Sequence, residues 1–99
     1  MRVVITTAAK TDLIEIGDFI KLNNPERAIT FVEELLERCS SLADMPRRYP
    51  LVPRYEKFGI RRTVYQDYLI FYRIQDEVIE IIRVLQGTQQ YEPLLFPNT

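Results

Sequence analysis

Residues 59–85 read GIRRTVYQDYLIFYRIQDEVIEIIRVL, and this stretch decides the fold. It contains three runs rich in β-branched and aromatic residues, which are residues 60–65, 68–75 and 78–85. A turn-like pair separates each run from the next, and these pairs are Gln66-Asp67 and Asp76-Glu77. Runs of this composition and length are typical of β-strands joined by tight turns. The stretch therefore predicts three consecutive antiparallel strands.

Two-residue connections would fix the register of this meander. They pair Tyr65 with Tyr68 and Gln75 with Val78, and every other pair follows from these two. Because successive side chains of a strand point to opposite faces, the residues sort into two sets. The apolar set is Ile60, Val64, Leu69, Phe71, Ile82 and Val84. We expect this apolar face to be the surface on which helices pack.

The opposite face mixes aromatic, apolar and cationic side chains. Its members are Arg61, Thr63, Tyr65, Tyr68, Ile70, Tyr72, Ile81 and Arg83. Such a face is too apolar to be left bare in water and too polar for a core, which is the composition of a binding surface. We therefore predict that a partner covers it. At the end of the apolar face, Arg73 and Glu80 lie opposite each other and are expected to form a cross-strand ion pair.

Two amphipathic helices are predicted before the meander. A β-branched run at residues 3–5 reads as an opening strand, and Thr6-Thr7 supplies a helix N-cap. The first apolar stripe is Leu13, Ile16 and Ile20, with Asp12, Glu15 and Asp18 turned outward. Asn24 and Pro25 then start a second helix, which is expected to end after Met45. Its buried stripe is Ala28, Val32, Leu35, Cys39 and Leu42.

The predicted fold class is α+β, with residues 1–99 forming a single domain. It has an N-terminal strand, an αα-hairpin and a three-stranded antiparallel meander, with the helices packed on one face of the sheet. Residues 46–58 contain three prolines among charged neighbours and predict an extended surface loop. The tail ends apolar. Its residues Leu95 and Phe96 either pack back on the domain or serve as a docking segment.

Composition excludes several kinds of chemistry. The chain has one cysteine, Cys39, and no histidine, so an internal disulfide, a His triad and a His-ligated metal site are all ruled out. Cys39 lies on an apolar helical stripe and is expected to be a core residue. We expect no metal and no cofactor. Apolar runs are far shorter than the roughly 20 residues of a membrane span, and a cytoplasmic location without membrane contact is expected.

Positive charge is concentrated in the middle of the chain. The formal net charge is −1, but residues 45–75 hold seven basic side chains against two acidic ones. Such a segment suits phosphates or an acidic protein partner, and it also suits a solvated surface.

The order of elements and several short motifs resemble the RelE/ParE superfamily of toxins over nearly the full length. The motifs are GIRR at 59–62, YLIFYR at 68–73, RVL at 83–85, DL at 12–13 and NPERAITF at 24–31. The chain is more similar to the ParE branch than to the RelE branch. The resemblance implies the toxin of a type II toxin-antitoxin system, a growth inhibitor that stabilises plasmids and is neutralised in a hetero-oligomer with a cognate antitoxin.

The two branches imply different targets. ParE-like toxins poison DNA gyrase, and RelE-like toxins cleave messenger RNA in the ribosome. Arg61 matches an arginine that lies in the active cleft of the RNase branch. However, Gln86 stands where that family often has histidine after Arg-Val-Leu, and a glutamine side chain does not exchange a proton.

We therefore predict gyrase inhibition by protein-protein binding, which needs no proton transfer. The predicted antitoxin- or target-binding residues are Arg61, Tyr65, Tyr68, Tyr72, Ile81, Arg83, Leu95 and Phe96. The alternative is a RelE-like mRNA endoribonuclease that acts with the ribosome, for which the candidate catalytic residues are Arg61, Lys57, Arg83 and Tyr91. A second alternative is a non-toxic remnant that only binds an antitoxin.

Overall fold

The elements follow one another in the predicted order in a computed structural model, which describes residues 1–96. They are β1 (Arg2–Ile5), α1 (Thr7–Lys21), α2 (Pro25–Ser41), a 3-10 turn (Glu56–Phe58), β2 (Ile60–Tyr65), β3 (Tyr68–Gln75), β4 (Val78–Gln86) and α3 (Glu92–Leu95). This confirms the α+β class with its αα-hairpin and meander. Within the described residues, no helix is long and apolar enough to span a bilayer.

Both long helices begin where their capping residues predict. The Thr6 hydroxyl accepts a hydrogen bond from the Ala9 amide at 3.2 Å, and the Asn24 side chain accepts one from the Arg27 amide at 3.1 Å. Pro25 occupies the first turn of α2, where a missing amide hydrogen costs nothing. Helix α2 ends at Ser41, earlier than predicted, and turns follow up to residue 49.

The four strands form one sheet in the order β1-β4-β3-β2. Tyr65 pairs with Tyr68 and Gln75 with Val78, so both two-residue connections are confirmed. Strand β1 lies parallel to β4, which the sequence did not reveal. This pairing ends at Ile81, because the chain turns away there into α1. The second half of β4 therefore has no strand on that side.

A β-bulge changes which face of the sheet the side chains of β4 lie on. Tyr72 pairs with Ile81 while Phe71 pairs with Arg83, so Ile82 is an extra residue in the ladder. Past the bulge, Val84 joins the cluster under the helices and Leu85 joins the cluster on the other face. The prediction placed Val84 with Leu69 and Phe71, and the inserted residue is why that placement is wrong.

The helices pack on the face that was predicted to be open. Their buried side chains join the sheet residues Ile70, Tyr72, Ile79, Ile81 and Val84 in one core cluster. Helical burial follows the predicted stripes, and Cys39 is buried as expected, although Phe31 takes the place given to Val32. Tyr65 and Tyr72 are compatible with this core because their hydroxyls donate to polar partners, the Glu34 carboxylate and the Pro46 carbonyl.

The face predicted to carry the helices is covered by the loop and the tail instead. Its cluster contains Val52, Ile60, Leu69, Phe71, Leu85 and Phe96. The loop runs along the outer edge of β2, where the Val52 amide donates to the Ile60 carbonyl at 2.9 Å. Phe96 stacks on Tyr55 with ring centroids 4.1 Å apart, so the tail packs back on the domain.

Candidate functional site

The tyrosine-rich set of the predicted binding face lies in the core. Tyr72 and Ile81 are completely buried, and the Tyr72 hydroxyl donates to the Pro46 carbonyl at 2.7 Å. Tyr65 and Tyr68 are half-buried and tilt against Phe31 of α2, with centroid distances of 5.8 and 5.5 Å. Their expected position on a face open to partners is therefore wrong. An apolar face needs a cover, and α1 and α2 supply it.

Burial and hydrogen bonding make these tyrosines poor proton carriers. Desolvation raises the pKa of both Tyr68 and Tyr72 above the usual value for a phenol. The hydrogen bond from the Tyr65 hydroxyl to the Glu34 carboxylate raises the pKa of Tyr65 as well. A general base must lose its proton near neutral pH, so all three shifts run in the wrong direction for that role.

Arg61 fastens the loop to the sheet. Its Nη1 donates to the Tyr49 carbonyl at 2.7 Å and to the Arg47 carbonyl at 3.3 Å. These bonds occupy the guanidinium with main-chain oxygens of the segment before Pro50. Arg61 pairs with Tyr72 in the ladder, which puts it on the helix side of the sheet.

Arg83 is bound to a buried carboxylate. Its Nε and Nη2 donate to the two oxygens of Asp12 at 2.7 and 2.8 Å, and the Val84 amide donates to Asp12 at 3.0 Å. Asp12 is only 6 % exposed, although the helical pattern predicted it outward. The carboxylate raises the pKa of the Arg83 guanidinium above its usual value. Asp12 thus closes the edge of β4 that β1 leaves open.

The candidate catalytic residues are not brought together. Arg61 lies on β2 and bonds to loop carbonyls, whereas Arg83 lies on β4 and bonds to Asp12 of α1, so the two guanidiniums have different partners and do not form one site. Tyr91 accepts a hydrogen bond from Arg62 Nη1 at 2.7 Å, and Lys57 lies over the Phe58 ring. Leu95 and Phe96, predicted as binding residues, pack in the tail-side cluster. Within the described residues, no group of three acidic or cysteine side chains could hold a metal ion.

An apolar groove lies between α1 and α2 on the outer surface of the αα-hairpin. It has a volume of about 780 Å³. The apolar residues that line it are Ile5, Leu13, Ile14, Gly17, Pro25, Ala28, Ile29, Val32 and Leu36. Ile14 is 63 % exposed and Ile29 is 64 % exposed, which is unusual for isoleucine side chains that face each other across two helices. The groove therefore exposes an apolar surface on the hairpin.

Charged side chains surround the apolar floor of this groove. Lys10 and Lys21 come from α1 together with Asp18, and Glu33 comes from α2. A Cβ added at Gly17 would lie 3.4 Å from Val32, at van der Waals contact, so the two helices pack closely at this point. An apolar floor with a mixed polar rim is the usual arrangement of a protein-binding groove.

Sequence reasoning missed the groove, although a signal for it was present. Ile14 and Ile29 fall outside the buried stripes, on positions that the helical period assigns to solvent. Two such residues on neighbouring helices of one hairpin indicate a second apolar surface. Only the geometry of the hairpin shows that they face the same groove.

Comparisons with known proteins agree with this architecture. A chain of the chromosomal ParDE TA system from P. aeruginosa superposes with a TM-score of 0.76 at 22 % identity, covering 87 % of this chain and 95 % of that one. A chain of the toxin-antitoxin complex RelBE2 from Mycobacterium tuberculosis superposes with a TM-score of 0.65 at 26 % identity, covering 86 % and 95 %. No curated protein matches the chain significantly in sequence.

The family model of the ParE toxin of the type II toxin-antitoxin system parDE matches residues 3–91. This range contains α1, α2, the meander and all of β1 except Arg2, together with the groove. The chain therefore belongs to the ParE toxin family of type II toxin-antitoxin systems.

Proposed function

We propose that this toxin inhibits DNA gyrase by protein-protein binding and is neutralised by a cognate antitoxin. Once released from the antitoxin, it binds gyrase, traps the intermediate in which DNA is cleaved, and so blocks replication. The mechanism requires a stable binding surface and no proton transfer. It is in keeping with a chain that has no histidine and whose core tyrosines have raised pKa values.

The observation that carries this proposal is that the Arg61 and Arg83 guanidiniums are both hydrogen-bonded within the protein. Stabilising the charge on a scissile phosphate needs a guanidinium directed into a cleft. Arg61 on β2 is bonded to loop carbonyls, and Arg83 on β4 is bonded to Asp12 of α1. Both arginines therefore have structural roles, and their arrangement favours inhibition by binding over RNA cleavage.

We assign the antitoxin to the groove between α1 and α2. The similar ParDE and RelBE2 structures are toxin-antitoxin systems, which supports a protein partner of this kind. An amphipathic antitoxin helix would lay its apolar side on Ile14 and Ile29, while polar residues meet the charged rim. Covering this surface would also stabilise the toxin, because a partner that binds only the folded state shifts unfolding by mass action.

A supercoiling assay tests the gyrase proposal. Purified toxin is added to gyrase and relaxed plasmid, and the same preparation is added to ribosomes that are translating a defined message. We expect loss of supercoiling with an intact message. Unaffected supercoiling together with cut messages would replace the proposal with the RNase alternative. Inactivity in both assays with retained antitoxin binding would identify a remnant.

One contact favours the RelE-like endoribonuclease as the second candidate. Arg62 donates to the Tyr91 hydroxyl at 2.7 Å, which brings a guanidinium to a phenol on the tail side of the sheet. In this candidate the pair would act with Lys57, which belongs to the loop that covers the same face. Substituting Tyr91→Phe would abolish message cleavage if this candidate were correct, and would leave gyrase inhibition unchanged if it were not.

A further inference from the structure

A strip of positive charge follows the β2 edge of the sheet. We define the basic strip as Arg47, Arg48, Arg54, Lys57, Arg61 and Arg62. Only Glu56 opposes these six charges between residues 45 and 62. The loop that carries four of them is held along β2 by the Leu51–Arg61 bridge and by the hydrogen bond from the Arg62 amide to the Pro50 carbonyl at 3.1 Å.

The exposed cations of the basic strip have no carboxylate partner. The salt bridges of the described residues join Arg27 to Glu34, Arg73 to Glu80 and Arg83 to Asp12, and none of them uses the strip. Four strip residues, Arg47, Arg48, Arg54 and Lys57, are exposed to solvent. Arg61 and Arg62 donate inward and hold the loop and tail beneath them. The outer charges are therefore available to an anion.

The basic strip and the groove lie at opposite edges of the molecule. The groove includes Ile5 of β1, which is one edge strand, and the strip follows β2, which is the other. Three strand spacings separate these edges, or roughly 14 Å. Charges further apart than a Debye length of about 8 Å are largely screened at physiological salt. An anion at the β2 edge would therefore be attracted by the positive charge of the strip, although the whole chain has a formal net charge of −1.

We propose that the basic strip binds the phosphate backbone of double-stranded DNA, in the complex that the toxin forms with gyrase. This inference rests on the proposed gyrase inhibition and deepens it. Arginine predominates in the strip, and its planar fork of donors matches the geometry of a phosphate. An acidic protein segment would normally bring apolar anchors, and the shallow pocket beside Arg47 and Arg48, lined also by Met45 and Pro46, offers little apolar surface to receive them. Contact with both gyrase and its DNA would favour the cleaved intermediate.

Matched charge variants test the inference. The strip variant is Arg47→Gln/Arg48→Gln/Lys57→Gln, and the control variant is Arg2→Gln/Lys10→Gln/Lys21→Gln. All six residues are exposed, and both variants lose three positive charges. Arg54 is left unchanged because its φ of 71° makes its backbone sensitive to substitution. Binding of each protein to a short labelled DNA duplex is followed by fluorescence anisotropy over a salt series.

We expect wild type and control to bind the duplex with a steep salt dependence. The strip variant should bind roughly tenfold or more weakly at low salt, with a salt slope lower by about 3, since each lost phosphate contact removes about 1. Absence of wild-type binding at low salt, or an equal loss in both variants, would overturn the inference. Stronger binding to single-stranded RNA, or weaker antitoxin binding by the strip variant than by wild type, would overturn it in favour of that partner.

A parallel supercoiling assay separates this inference from the proposed function. Strip-dependent DNA binding without any effect on gyrase would retain the strip as a DNA-binding site and reject the gyrase target. Gyrase inhibition without strip-dependent DNA binding would retain the target and reject the strip. When both hold, the strip variant should need several-fold more protein than the control for half-maximal inhibition.

Discussion

Asp12 is a carboxylate buried between α1 and β4. Its carboxylate is 6 % exposed and accepts three hydrogen bonds, two from Arg83 and one from the Val84 amide. A buried charge is tolerated only when it is paired and hydrogen-bonded, and Asp12 satisfies both requirements. It also takes the place of a strand neighbour for β4, because β1 ends at Ile5. One side chain therefore joins the helix hairpin to the sheet.

Replacing Asp12 should destabilise the protein more than breaking an exposed ion pair. In Asp12→Ala, the Val84 amide and the Arg83 guanidinium lose their partner, which should cost about 2 to 4 kcal/mol of unfolding free energy. The control is Glu80→Ala, which breaks the half-exposed pair with Arg73 at a cost below about 1 kcal/mol. Urea unfolding of both variants measures the difference. Equal losses would mean that Asp12 does not fasten α1 to β4.

The role of Asp12 could not be predicted from the sequence. Helical periodicity places it beside the apolar stripe, where an acidic residue ordinarily faces water. Its partner Arg83 lies 71 positions further along the chain, and only the end of β1 and the bulge bring the two together. Roles that depend on residues nearby in the sequence were predicted correctly. The helix caps Thr6 and Asn24 and the Arg73–Glu80 ion pair are confirmed.

The groove is the element to which we assign antitoxin binding. Ile14→Glu and Ile29→Glu each place a carboxylate on its apolar floor, so each should weaken the antitoxin complex by about 2 kcal/mol or more. Stability of the free toxin should change little, because both side chains are mostly exposed. Isothermal titration with the cognate antitoxin measures the effect.

The control for the groove variants is Phe19→Glu. Phe19 is 66 % exposed on the same helix, but it does not line the groove. The Phe19→Glu variant should bind the antitoxin with a free energy within about 0.5 kcal/mol of the wild-type value. If Phe19→Glu weakened the complex as much as Ile14→Glu, the antitoxin would contact another side of α1.

The tail acts as a cover for the second face of the sheet. Phe96 is 3 % exposed against Tyr55 and Phe58, so Phe96→Ala should lower the unfolding free energy by about 2 to 4 kcal/mol. Leu94→Ala, on the exposed side of α3, should cost well under 1 kcal/mol. Thermal unfolding compares the two. A stable Phe96→Ala protein with weakened antitoxin binding would make the tail a docking segment after all.

At the level of elements, the sequence predicted which strands and helices form, and the register of the two tight turns. It did not predict which face of the sheet the helices take. Both faces carry enough apolar residues to pack against a cover, and on the helix side the hydroxyls of Tyr65 and Tyr72 find partners in Glu34 and the Pro46 carbonyl. The bulge at Ile82 has no local signal, and it moved Val84 and Arg83 relative to the predicted faces.

In the whole molecule, the sheet is covered on both faces, and its two edges differ in chemistry. The β1 side adjoins an apolar groove that we assign to the antitoxin, and the β2 edge carries the basic strip that we assign to DNA. Binding functions are thus carried by the helix hairpin and by the edges. With the proposed function, we therefore expect the toxin to inhibit its target at a stoichiometric ratio.

Titration of gyrase with the toxin tests this account most directly. Supercoiling and the amount of cleaved plasmid are measured as the molar ratio of toxin to gyrase rises, before and after addition of the cognate antitoxin. We expect inhibition to saturate near a stoichiometric ratio, cleaved plasmid to accumulate, and the antitoxin to reverse both. Unchanged supercoiling at every ratio, with message cut on ribosomes by substoichiometric toxin, would contradict the account.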